Sequence, residues 1–245
     1  LAMHARLHLG ANIIRRLALC SADAPDILRH CPKLSCASCS EANAHRISLS
    51  HSHGHESPRK VRTVRPGQLI HADIAGPFTA SIGGGFTYAL VLVDDFTRYK
   101  WVYFMRAKSD APSYVRGFIA SFQALLAKRQ GADATWTVDA IHTDNAGEFL
   151  SREFTELLEQ GGVAQTTCPP HVHELNGVAE RAIRTIFSNV RSNMTASGAK
   201  AGYWTYLVRH SLDVLNRTTG PTADSDSEFK TSFELLLGEK PKVMG

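Results

Sequence analysis

The chain has 245 residues, 43% of them hydrophobic and 20% charged, which excludes a disordered or collagenous polymer and leaves a soluble globular chain of one large or two ordinary domains. Its longest apolar run, residues 88–93, is far too short to span a bilayer, and no basic, apolar, small-residue leader opens it, so neither a membrane nor secretion is expected. The net charge of +4 is unevenly spread: residues 1–66 hold ten Lys/Arg against four Asp/Glu, and the remainder 17 against 19, so a polyanion partner is expected at the front.

Residues 1–40 read as helical, with Leu7, Ile13, Ile14, Leu17 and Leu19 at roughly helical spacing. Cys20, Cys31, Cys36 and Cys39 all lie in this stretch and only Cys168 lies elsewhere, a clustering that favours metal over disulfides where no secretion signal is read. Residues 41–66 read as a basic linker with two prolines, Pro58 and Pro66, and a biased tract at His51, His53 and His55. From residue 67 the pattern is α/β. Strands are expected over 68–74, 86–93 and 100–105, the last two joined by a polar turn at 94–98. A helix follows over 112–129, with Val115, Phe118, Ile119, Phe122, Leu125 and Leu126 on one face. Then come a strand over 136–142, a short helix over 151–160 with Ser151 as its cap, and a strand over 163–167. A long amphipathic helix is expected from residue 174 to about 195 and another over 203–216, with a polar, loop-like tail after Gly220. Three hairpin-connected strands followed by alternating helices and strands imply a mixed sheet with helices packed on it. Since the chain opens on Leu1, it is read as a piece of a longer polypeptide.

Three carboxylates fall where open α/β sheets place reacting groups. Asp73 ends the first strand, Asp144 ends the strand before the short helix, and Glu180 lies in the first turns of the long helix, with 35 residues between it and Asp144. Converging acids of this kind need a cation, and hard oxygen ligands with open positions suit Mg²⁺ or Mn²⁺. A metal pair roughly 3.5–4 Å apart would activate a hydroxyl and stabilise the leaving oxygen of a phosphodiester. Each acid also has a plainer use: Asp73 and Asp144 in turns, Glu180 in an i,i+4 pair with Arg184. Asp94, Asp95 and Glu148 are competing acids.

The motifs together resemble the integrase of copia-type LTR retrotransposons. The run 68–77 around Asp73 is similar to the family's first catalytic strand, 91–101 (containing Asp94-Asp95-Phe96-Thr97-Arg98) to its second and third strands, His142-Thr143-Asp144-Asn145 to the second catalytic motif, and Asn176-Gly177-Val178-Ala179-Glu180-Arg181 to the third. The resemblance implies an RNase H-like core, with Asp73, Asp144 and Glu180 as its metal-binding catalytic triad and two Mg²⁺ or Mn²⁺ ions as cofactor. It implies the division 1–40 zinc-binding module of the GAG-pre-integrase kind, 41–66 linker, 67–220 catalytic core and 221–245 start of a C-terminal extension. It departs from the pattern at Ala146, at residues 171–175, and before His8, where the family usually has Gly.

Family integrases carry a His-His-Cys-Cys zinc module. Here His4 and His8 would sit one helical turn apart and Cys36-x2-Cys39 would supply a thiolate pair with knuckle spacing; Cys31 is the rival to Cys36. The implied activity is insertion of element cDNA into host DNA, with element ends and target DNA as partners, a homo-oligomer as the working form, and action in the nucleus after a cytoplasmic or particle stage. Arg181, Arg184 and Arg191 on the long helix, and Arg59, Lys60 and Arg62 in the linker, are the expected DNA contacts. Two alternatives share these features: a related transposase or nuclease with the same acids, and a chain without catalysis that only binds or assembles DNA.

Overall fold

The period-two stretch after residue 67 folds as three antiparallel strands, β1 (Ile70–Ala75), β2 (Tyr88–Asp94) and β3 (Lys100–Met105). The computed structural model describes residues 2–32, 34–42, 63–130, 136–167, 176–221 and 229–242. Two further strands, β4 (Ala140–Thr143) and β5 (Ala164–Thr167), join in parallel, giving a mixed five-stranded sheet of order β3-β2-β1-β4-β5. The register sets Asp73 opposite Val91 and His71 opposite Val93.

Both faces of the sheet are covered. On one, α4 (Ala111–Gln130) and α5 (Arg152–Gln160) bury Val115, Phe118, Phe122, Leu126, Phe154 and Leu158 with the strand residues Ile70, Leu90, Leu92 and Ile141. Ser151 caps α5 by accepting from the Phe154 N–H, as its position before the apolar face suggests. On the other face, α6 (Gly177–Ser197) and α7 (Trp204–Thr218) pack Ala182, Ile186, Val190, Trp204 and Val208 on Ala89, Val91 and Val93. The alternation of β2 thus feeds two cores at once, as expected for a strand buried on both sides.

Three short helices open the chain: α1 (Ala2–Leu7), α2 (Ala11–Cys20) and α3 (Ala37–Ala42). The first two share an apolar cluster with Val214 of α7 and with Phe229, and α3 packs on α6. The expectation of a loop-like tail after Gly220 is corrected. A one-and-a-half-turn helix, α8 (Ser232–Leu237), forms there because Thr231 caps it and Leu236 enters the α4 side of the core. The segment around it is tied down by the Ala22 N–H donating to the Pro241 carbonyl, 3.0 Å. The strand expected over 136–142 is also shorter: the Asp139 N–H is taken by the Gly67 carbonyl and its carboxylate by Arg65, so regular pairing begins only at Ala140. The long helix starts at Gly177, and Glu174 lies outside the described residues, as do residues 43–62 with the His51–His55 tract, and Cys168.

Phe118 is wedged between Trp101 and Phe122, with ring centroids 5.1 and 5.3 Å away, and is fully buried. Phe118→Ala should lower the unfolding free energy by about 3–5 kcal/mol in urea titration, against about 1 kcal/mol for Ser151→Ala.

Candidate active site and candidate metal centre

Asp73 and Asp144 reach the same end of the sheet because β1 and β4 are parallel neighbours, paired through His71 and His142. Both aspartates lie just beyond that pair. Helix α6 is brought to the same place by Asn176, whose buried amide donates to the Ala72 carbonyl at 3.2 Å, next to Asp73. This sets Glu180, exposed in the first turn of α6, beside the strand ends. The turn role and the cluster role coexist: an Asp144 oxygen accepts from the Ala146 N–H at 3.1 Å, and an Asp73 oxygen from the Ile74 N–H at 2.7 Å.

Asp73 is close enough to feel the charges of both other acids. Burial pushes the Asp73 carboxyl up to about 6, and the charges of Asp144 and Glu180 push the same way, while the Ile74 N–H and the Lys108 ammonium offset part of this. A site that penalises its own negative charge fits a divalent cation, and the donor set is all oxygen, as Mg²⁺ or Mn²⁺ requires. The three are not drawn into a closed cluster: among the described residues, the only group of potential ligands with all atoms within 4.8 Å of one another is a different one.

The competing acids are committed elsewhere. Asp94 is fully buried and accepts from the Gly67 N–H and from both the N–H and hydroxyl of Thr97, closing the β2–β3 turn. For Asp95, burial alone would raise the carboxyl, but His71, the Arg98 guanidinium and the Thr63 hydroxyl hold it well below the usual carboxylate range. Glu148 pairs with Lys108 at 3.2 Å. No local spacing points to Lys108, which arrives from the β3–α4 connection.

The closed group is His4, His8, Cys36 and Cys39. His8 Nδ1 lies 3.2 Å from Cys39 Sγ and 3.7 Å from Cys36 Sγ, and His4 Nε2 lies 3.7 Å from Cys39 Sγ. His4 donates its Nδ1 proton to the Leu9 carbonyl at 2.7 Å, so the Nε2 lone pair faces the thiols. Two imidazoles and two thiols at these separations fit a tetrahedral Zn²⁺. The rivalry between Cys31 and Cys36 is decided by packing, since Cys31 is buried in the apolar cluster with Leu9, Ile14 and Leu17. The backbone N–H of Cys39, then the His4 side chain, lower the Cys36 thiol to about 7. Sequence spacing did not reveal a further neighbour: the Ser192 hydroxyl of α6, which donates to the Ser188 carbonyl at 3.2 Å, lies beside Cys39 and favours its thiolate. Asn189 Nδ2 donates to the Leu7 carbonyl at 3.0 Å and Arg191 Nε to the Ala42 carbonyl at 3.3 Å.

Arg181, Arg184 and Arg191 are all exposed on α6. The face they were expected to leave open is shared, however. Arg184 and Arg191 border a cleft of about 410 Å³ whose other wall is His8, Leu9 and Ile13. Arg59, Lys60 and Arg62 lie outside the described residues. Among those residues no helix is long and apolar enough to cross a membrane.

Comparison with known proteins agrees with this fold. Residues 63–173 match the family described as Integrase core domain. The chain is 30% identical over 183 residues to the Retrovirus-related Pol polyprotein from transposon TNT 1-94 of Nicotiana tabacum, which covers 75% of this chain but only 13% of that polyprotein. The fold resembles the HTLV-2 integrase catalytic core domain solved in complex with magnesium (TM-score 0.50, 18% identity, 71% of this chain and 99% of that one). It also resembles a chain of the simian T-cell lymphotropic virus intasome in complex with PP2A regulatory subunit B56 gamma (TM-score 0.55, 19% identity, 100% of this chain and 76% of that one). The fold is therefore RNase H-like, with a His-His-Cys-Cys group near its start.

The electrostatics of Asp73 give a pH test on metal-free protein. A carboxyl whose folded value, about 6, exceeds its unfolded one favours the fold fully below the unfolded value, and that contribution is lost as pH rises through about 6. Asp73→Asn should therefore raise stability over wild type by on the order of 2 kcal/mol at pH 7 and by nearly nothing at pH 4. Thermal melts at the two pH values in chelator check the difference.

Proposed function

We propose, from the premise that this chain belongs to the copia-type integrases, that it joins the 3′ ends of an element's cDNA to target DNA by metal-assisted phosphoryl transfer. The observation that supports this reading is the gathering of Asp73 on β1, Asp144 just past the parallel strand β4 and Glu180 in the first turn of α6, where burial first and the charges of the other two acids after it raise the Asp73 carboxyl.

In this reading the carboxylates of Asp73, Asp144 and Glu180 would together hold the divalent cations. The bound cations would lower the cost of ionising the attacking 3′-hydroxyl and of charge on the leaving oxygen. The protein's own part is positioning. Asn176 fixes the start of α6 against β1, so the Glu180 carboxylate is held at the strand ends rather than left to a mobile loop. Lys108 places a positive charge near Asp73, which the Glu148 carboxylate holds in the absence of substrate. The exposed Arg181, Arg184 and Arg191 offer guanidinium forks to phosphate oxygens along α6.

His4, His8, Cys36 and Cys39 would hold one structural Zn²⁺, and the Ser192 hydroxyl would orient the Cys39 sulfur. The helices around that site are short and share their apolar cluster with α7, so the metal would add stability that so small a core lacks. We place the working form in an oligomer on two DNA ends, acting in the nucleus.

Three measurements test this reading. With Mg²⁺ or Mn²⁺ and element-end oligonucleotides, the wild-type chain should give strand-transfer products, and Asp144→Asn should lower their rate by about two orders of magnitude or more. Products from Asp144→Asn at the wild-type rate would remove the acid from the chemistry, and DNA binding without any product would favour the assembly-only alternative. Metal analysis should return one zinc per chain, lost in Cys36→Ser together with a fall in the melting temperature. Arg184→Ala and Arg191→Ala should each weaken DNA binding on all sequences and flatten the plot of log K against log salt by about one unit. An unchanged slope would move the DNA track off α6.

A further inference from the structure

A second cleft, about 410 Å³, opens where the β2–β3 turn meets the first turns of α6 and the chain leaving α7. Its walls include Arg98, Lys100, Arg181, Thr185, Thr219 and Gly220. Three of these are cations, and no acid lines it among the described residues. The Arg98 charge is met by Asp95 at 2.9 Å, but among the described residues the other two meet no acid.

Lys100 is the unusual group. Its ammonium bonds only neutral oxygens: the Arg98 carbonyl at 2.9 Å and, more weakly, the Thr219 hydroxyl at 3.5 Å. Its backbone is locked in both directions by Asn216 of α7, which accepts from the Lys100 N–H at 3.0 Å and donates to its carbonyl at 2.9 Å. Burial, then the Arg98 charge, pull the ammonium down to about 8. The half-buried ammonium has no counter-charge among the described residues, and an anion in the cleft would offset the cost of withdrawing it from water. The turn feeding it is strained as well: Arg98 holds a left-handed backbone, φ 60°. Arg181 forms no ion pair among the described residues. Its guanidinium lies over Gly177, where a Cβ would come within 2.8 Å of a guanidinium nitrogen.

We infer that this cleft is a phosphate seat, with Lys100 and Arg181 as its charged donors, and that it takes a backbone phosphate of the DNA strand lying next to the one at the acidic triad. The position supports the choice of DNA. Val93 in the cleft wall pairs with His71, two residues from Asp73, or about 7 Å along the strand. Arg181 follows Glu180 directly in the chain. The choice of DNA over a free phosphate rests on the integrase reading; the anion chemistry of the cleft does not.

The test uses the full chain with two readouts. The first is the melting temperature in inorganic phosphate against chloride at matched ionic strength. The second is DNA affinity across a salt series. Lys100→Met should melt no lower than wild type in chloride, because an uncompensated charge is removed, yet lose the upward shift that phosphate gives wild type. It should also reduce DNA affinity several-fold and lower the salt slope by about one, and Lys100→Arg should restore both. Arg181→Ala, at an exposed helix position where folding is not at stake, should lower the slope by the same amount. A Lys100→Met protein that keeps the wild-type phosphate shift and the wild-type slope overturns the seat. Loss of the phosphate shift with an unchanged slope overturns the assignment to DNA and leaves a site for free phosphate. If wild type binds no DNA, the integrase reading fails instead, and the phosphate arm alone decides whether the seat exists.

Discussion

The seating of α6 on β1 and β2 is the contact on which the rest depends. Val178, Ala182, Ile186 and Val190 of α6 bury against Ala89, Val91 and Val93 of β2, so the helix is fixed along the sheet by small and branched aliphatic side chains. One rigid element twenty-one residues long then serves several places at once. Its first turn presents Glu180 to the strand ends, its middle presents Arg184 to a cleft, and its last turns meet the cysteine pair through Ser192. A rigid rod suits this work, since a displacement at one end is carried to the other rather than absorbed.

Around that rod the charges are sorted by what they cost. Asp94 and Asp95 are expensive to bury, and both are fully engaged by the turn they close and by His71. Asp73 is left under strain from two neighbouring acids, and Lys100 is left without an anion among the described residues. Structural ion pairs end satisfied, whereas groups with work to do are left wanting a ligand. By that criterion a cation belongs at the first place and an anion at the second, on the same sheet face.

Much of this was legible in the sequence because it is local. The strand Lys100–Met105 is where alternation places it, and α5 begins where Ser151 and the apolar face require. The three acids stand out in the sequence only through spacing and family resemblance together; singly, each reads as a turn or a surface pair. What was missed is of two kinds. The helix α8 was overlooked in a polar tail, although Thr231 three residues before Glu234 is a capping signature, because six residues carry too little periodicity to register. The contacts of Lys108 with Glu148, of Ser192 with Cys39 and of Asn216 with Lys100 join residues 24 or more apart in every case, and no local pattern specifies such pairs. The same holds for the cationic face of α6, which was expected to run open to solvent and instead shares its C-terminal half with the opening helices.

The most direct test of the account is where a divalent cation goes. Crystals soaked in Mn²⁺ and measured for anomalous scattering should show density between the carboxylates of Asp73 and Asp144, with Glu180 turned toward it at hard-cation distances of about 2.0–2.6 Å. Density at Glu148 and Glu153 in the neighbouring cleft, or none beside Asp73 at saturating Mn²⁺, would contradict the claim that these three acids form the metal site.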